Sequence, residues 1–236
     1  MGITLARPKI TKWKPTESST PPLFNGDHLT RAEFERRYAA QPHLKKAELI
    51  EGVVYVASPV HLHKHSQPHS RIIGWLFNYV AATPGTDFGD NATVRLDPDN
   101  VVQPDAFLRI HETAGGQAKV DQDDYLAGAP ELMVEVAASS AAYDLHEKLH
   151  VYRRNGVQEY LILLAHEQET RWYQLVEGQY LLMSQDEQGI IRSQAFPGLY
   201  FHSEMFWNDD LNGLLKILEE GTSSPEHQAF VDQLEK

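Results

Sequence analysis

The spacing of apolar residues changes period several times along the chain, and each change marks an element. "LTRAEFERRYAAQ" (29–41) has the spacing of a short helix, with Thr30 at the N-cap. "KAELIEGVVYVAS" (46–58) reads instead as two short strands turning at Glu51-Gly52. A histidine-rich piece, "HLHKHSQPHS", leads into "RIIGWLFNYVAATPG", where apolar residues recur at helical spacing and stop before Pro84-Gly85. "NATVRLD" and "VQPDAFLRI" read as an antiparallel strand pair around the turn-forming "PDN". "VDQDDYLAGAP" reads as a polar connection.

"ELMVEVAAS" and "VQEYLILLA" are near-continuous apolar runs, the pattern of strands buried on both faces. Between them, "SAAYDLHEKLHVYRRNG" reads as one helix. Ser139 or Ser140 would cap its start, and Arg153, Arg154 and Gly156 would mark its end. A strand, a helix and a strand over 131–164 predict a parallel crossover. Two amphipathic strands follow, "TRWYQLVEG" and "QYLLMSQ", then "FPGLYFHSEMF" and short helices from about 208 and 225. The middle order is helix, three strands, helix, strand. It predicts an α/β fold: a mixed sheet flanked by helices, with an added antiparallel hairpin and C-terminal helices. Residues 1–25 read as a flexible leader, 26–207 as the domain and 208–236 as a helical tail.

Composition narrows the classes. The 236 residues suit one domain, and 42% hydrophobic residues suffice for a core. A net charge of −12 argues against non-specific coating of nucleic acid or an anionic membrane surface. It leaves room for a local basic patch, or for carboxylates that hold a cation. The chain has no cysteine, which removes disulfides and thiolate zinc sites and fits a cytoplasmic location. No apolar run approaches the roughly 20 residues of a membrane span, and the N-terminus lacks the apolar core of a secretion signal.

Two acidic residues interrupt the apolar runs: Asp105 in "VVQPDAFLRI" and Glu135 in "LMVEVAA". An ionised carboxylate there is strongly disfavoured unless it is paired or bound to a metal. Either residue alone is equally well read as exposed at a strand end or paired with an arginine. Two on neighbouring strands suit a hard divalent cation. Asp144 and Lys148 follow, four apart on one helix face that Tyr152 continues. They form either a surface ion pair or a group leaning over the end of the Glu135 strand.

These pieces together resemble the Uma2 family of restriction-endonuclease-like proteins, within the PD-(D/E)XK nuclease superfamily. The resemblance rests on "AELIEGVVYVASP", His69 ahead of an apolar helix, "QPDAFLRI", "PELMVEVAASSAAYDLHEKLHVYRRNGVQEYLIL" and "FPGLYF". It implies an αβββαβ core and metal-assisted phosphodiester hydrolysis. It makes Asp105 and Glu135 the catalytic carboxylates and ligands of Mg²⁺ or Mn²⁺. The superfamily's E-x-K would place lysine where this chain has Ala137; the Uma2 pattern moves it to the following helix, at Lys148. Asp144, Glu48 and His69 match supporting positions. DNA is the implied substrate, and a homodimer would suit cleavage of both strands of a duplex.

Other features have plainer readings beside functional ones. His61, His63, His65 and His69 form either a zinc-binding tract on an extended segment or a solvated loop or substrate-facing rim, with His69 the one expected to touch the site. Arg153 and Arg154 complement the helix dipole or contact phosphate. Trp172, Tyr173 and Tyr180 pack in a core or subunit interface, or stack on bases. "DQDDY" (121–125) reads as a solvated acidic loop. Besides an endonuclease, the pattern allows a catalytically inactive nuclease fold that binds nucleic acid or a protein partner.

Overall fold

The computed structural model describes residues 20–56, 62–138 and 141–236. His61, Ser139, Ser140 and most of the leader lie outside these residues. The first unit is α1 (Arg31–Ala39) against the hairpin β1 (Ala47–Ile50) and β2 (Val53–Val56). Thr30 caps α1 by accepting from the Glu33 amide. The hairpin turns on Glu51 and Gly52, both at positive φ (52° and 74°), the geometry that matches strand twist.

Next come α2 (Gln67–Ala82), β3 (Thr86–Asp90), β4 (Val94–Asp97), β5 (Asn100–Val102), β6 (Ala106–Ile110), β7 (Lys119–Val120), β8 (Leu126–Ala127) and β9 (Leu132–Ala137). A broken helix follows, α3 (Ala141–Leu145) and α4 (Glu147–Arg154), then β10 (Glu159–Leu164), β11 (Glu169–Val176) and β12 (Gln179–Leu182). The ribbon of β13 (Ile190–Arg192) and β14 (Tyr200–His202) leads to α5 (Ser203–Trp207), α6 (Leu211–Thr222) and α7 (Pro225–Leu234).

The strands form two main sheets. One runs β2-β1-β5-β4-β8-β7, the other β12-β11-β10-β9-β6-β3. In the second, β9 and β10 are parallel, as the crossover predicts, and the other pairs are antiparallel. The order helix, three strands, helix, strand is present as α2, β3, β6, β9, α3–α4, β10. It differs from the expectation in its first strand. "NATVRLD" and the start of "VQPDAFLRI" leave as β4 and β5 for the other sheet, and β3 takes the vacated place. Pro104 explains the split, because it has no N–H to continue a ladder. β3, "TDFGD", carries too little apolar signal to read as a strand. Its Gly89 lies opposite Phe107, whose ring would stand 2.3 Å from any added Cβ.

Three further expectations are corrected. The single helix expected over 140–156 is broken at His146 (φ −120°, ψ −73°), which divides α3 from α4. The histidine-rich piece, expected to be extended or a loop, is helical over its described residues: 62–66 form a π-helical turn that runs into α2. The polar connection contains β7 and β8, and its acidic residues do more than meet water. Asp121 and Asp123, with Glu35, clamp Arg95.

The second sheet is covered on both faces. Leu132, Val134 and Val136 pack with Ile72, Trp75, Leu76 and Tyr79 of α2, in a core that also takes in Leu214 and Leu218 of α6. Met133 and Ala137 point the other way, toward Val151 and Tyr152 of α4 and toward Ile50, Val94 and Val102 of the first sheet. Strand alternation therefore places Glu135 between the two sheets, under α4. Trp172 is core, and Tyr173 and Tyr180 pack against the second face.

Candidate active site

The chain crosses from one sheet to the other at Gln103-Pro104-Asp105. Ala106 pairs with Val134 in antiparallel register, so Asp105 stands one rung along, opposite Glu135 and on its face. Both carboxylates are buried. Asp105 Oδ2 accepts the Val136 N–H at 2.8 Å and lies 3.2 Å from His65 Nε2, while Oδ1 is 3.0 Å from Lys46 Nζ. Burial pushes this carboxyl up, but Lys46, His65 and the Val136 amide outweigh it and hold it below the usual carboxylate range.

Glu135 has different company. Its Oε1 accepts from Lys148 Nζ and from the Tyr152 hydroxyl, each at 2.8 Å. Lys148 also meets Glu48 Oε2 at 3.0 Å and Asp144 Oδ1 at 3.6 Å. Glu48, from β1, accepts the Gln103 N–H at 2.8 Å through its other oxygen. Burial raises the Glu135 carboxyl; Asp105 and Asp144 add to this against Lys148 and Lys46, and it is pushed up to about 8. Burial works against the Lys148 ammonium, yet Glu135, Glu48 and Asp144 hold it well above its usual value.

The structure thus brings Asp105, Glu135, Lys148, Glu48 and Asp144 together. His69 joins from α2, its Nε2 lying 2.9 Å from the Asp105 carbonyl oxygen and 3.1 Å from Asp90 Oδ1. The histidines of the tract go to different partners: His63 to Gln67, His65 and His69 to the neighbourhood of Asp105. Among the described residues, no three His, Asp or Glu side chains converge as a metal cage. Arg153 binds the Gly178 carbonyl, and Arg154 pairs with Glu51 and Asp97.

Sequence reasoning overlooked Lys46 and the role of His65. Lys46 lies two positions before Glu48 on an extended segment, so period-two spacing puts both on one side. Tyr152 was visible as a continuation of the Asp144–Lys148 face, but not its hydrogen bond to Glu135.

Among the described residues, the carboxyl groups of Glu48, Asp105, Glu135 and Asp144 share the ammonium groups of Lys46 and Lys148 and the His65 imidazole. Two hard carboxylates on adjacent strands, with the remaining positions left to water and phosphate, form a donor set that Mg²⁺ accepts.

The family model Uma2, described as "Putative restriction endonuclease", matches residues 31–204. The chain belongs to the Uma2 family. A solved structure described as a "putative nuclease belonging to DUF820", from Anabaena variabilis ATCC 29413, is similar in fold. It is 14% identical with a TM-score of 0.53, over 70% of this chain and 90% of that one. No curated protein matches the chain. The matched Uma2 region contains all six residues discussed above, Asp105, Glu135, Lys148, Glu48, Asp144 and His69. No described helix is long and apolar enough to cross a membrane.

Proposed function

We propose that this Uma2 protein is a Mg²⁺- or Mn²⁺-dependent endonuclease that hydrolyses phosphodiester bonds of DNA. The observation that carries this reading is the facing pair Asp105 and Glu135, buried on adjacent strands beside Lys46 and Lys148. Asp105 and Glu135 would hold the ion, with Glu48 as a further carboxylate beside them. When bound, the ion would supply Lewis-acid activation of the phosphate and of the attacking water. Lys148 orients Glu135 and Glu48 through its two short contacts, and Asp144 holds Lys148 in place. His69 fixes the backbone at Asp105 by contacting its carbonyl oxygen.

A second reading has one observation in its favour. Lys46 already stands 3.0 Å from Asp105, so that carboxylate has a counter-charge without a metal. A nuclease fold that binds nucleic acid or protein without cutting would retain such a pair. Calorimetric titration with Mg²⁺ and Mn²⁺ separates the two, followed by plasmid cleavage, on wild type and Asp105→Ala. The endonuclease reading expects binding and cleavage in wild type and neither in the variant. Cleavage that survives Asp105→Ala overturns it.

The proposed assembly is a homodimer. The edge strand β12 leaves Leu181 and Leu182 more than half exposed beside unpaired backbone groups, and a second copy would cover both. Sedimentation of a monomer at micromolar concentration would exclude it.

A further inference from the structure

The two lysines of the site are not equivalent, and their difference assigns them separate tasks. The Lys148 side chain is 2% exposed, and its ammonium is enclosed by Glu48, Glu135 and Asp144, with the Tyr143 ring 5.4 Å away. An ammonium so placed has no open side on which to receive a substrate oxygen. The Lys46 side chain is 23% exposed and, among the described residues, touches a carboxylate only at Asp105, from the segment just before β1. It stands where the buried carboxylates meet solvent.

We propose that Lys46, not Lys148, is the lysine that contacts the phosphate of the bound nucleic acid, and that Lys148 is a positioning residue for the carboxylates. The inference rests on the endonuclease reading above. Without substrate, Lys46 neutralises Asp105. A cation held by Asp105 would take over that duty and repel the ammonium, which then turns to the nearest anion, a phosphate oxygen at the mouth of the site. A flexible four-carbon stem allows this movement without a change of backbone. His65, on the other oxygen of Asp105, keeps that carboxylate oriented during the exchange.

The test is equilibrium binding of a fluorescently labelled DNA duplex, with Ca²⁺ in place of Mg²⁺, over a series of salt concentrations. Wild type, Lys46→Met and Lys46→Arg are compared, and thermal melts show that each is folded. Losing one phosphate contact lowers the slope of log K against log salt by about 1. Lys46→Met should show that loss and bind about tenfold more weakly, and Lys46→Arg should recover most of both. A purely structural role for Lys46 would leave the salt slope unchanged. If wild type binds the duplex and Lys46→Met matches it in affinity and slope, this inference falls and the endonuclease reading stands. If wild type binds no duplex, both fall.

Discussion

The sheet around the parallel strands β9 and β10 holds buried carboxylates toward both ends, and the two ends satisfy them differently. At the N-terminal end, Glu131 accepts the amides of Ile110 and Gln117. Glu159 accepts the amides of Gln194 and Ala195 and the Ser193 hydroxyl. At the other end, Asp105 also accepts one backbone amide, that of Val136, but the remaining partners of Glu135 and Asp105 are ammonium groups, an imidazole and a phenol. Backbone donors are fixed by the chain and cannot be displaced. Ammonium groups sit on flexible stems and can be exchanged for another cation. Buried carboxylates therefore mark a site only when their partners can leave; otherwise they fasten loops to a sheet.

The largest expected effect comes from removing the cation that serves most carboxylates. Lys148→Met leaves Glu48, Glu135 and Asp144 buried around an apolar side chain. Breaking a buried pair from one side costs about 3–5 kcal/mol, which urea denaturation would read directly. Millimolar Mg²⁺ should recover part of this loss, because the ion can supply charge at the same end. No recovery would argue against a cation site there.

Glu159→Ala comes next. It strands two amides and a hydroxyl in a buried place, at about 1–3 kcal/mol, and Mg²⁺ should recover none of it. Glutamine then separates the ends further. Glu159→Gln keeps an acceptor for both amides, and Ser193 can turn to accept from the new amide, so stability should change by less than about 1 kcal/mol. Glu135→Gln likewise keeps an acceptor for Lys148 and Tyr152. Yet it removes a proposed metal ligand, and calorimetry should show Mg²⁺ affinity falling at least about tenfold, or about 1.4 kcal/mol. A glutamine that is silent at both ends would erase the distinction.

Much of this contrast was legible in the sequence, but only at one end. Asp105 and Glu135 stand out because each interrupts an apolar run, and Asp144 and Lys148 because four-residue spacing aligns them. Glu131 and Glu159 occur in the same runs, yet each sits at a strand's start, where a charge reads as solvated. Their donors come from residues distant in sequence, such as Gln117 and Ser193 to Ala195. The split into two sheets was hidden for a related reason. Residues 102–110 read as one strand, and only tertiary pairing shows that the two sides of Pro104 join different sheets. The break at His146 has no proline or glycine to announce it.

The smallest expected effect is in the pH dependence of stability, and it sharpens the comparison most. Asp105 is held below the usual carboxylate range, so the folded protein binds that proton more weakly than the unfolded chain. Its contribution is present above the unfolded value of about 3.9 and is lost as pH falls. Glu135 and Glu159 are both raised, chiefly by burial. The folded state holds their protons more tightly, so stability declines as pH rises from the unfolded value of about 4.3. For Glu135 the decline should continue to about pH 8. Urea midpoints measured from pH 3 to 8 should lose the acid limb in Asp105→Asn and flatten on the neutral side in either glutamine variant. Sign alone cannot tell Glu135 from Glu159, but Mg²⁺ can. An ion that binds the ionised Glu135 should lift the neutral limb of wild type and of Glu159→Gln, and leave that of Glu135→Gln where it was. A lift that persists in Glu135→Gln would place the ion elsewhere, and the two ends of the sheet would then differ only in how they hold their charges.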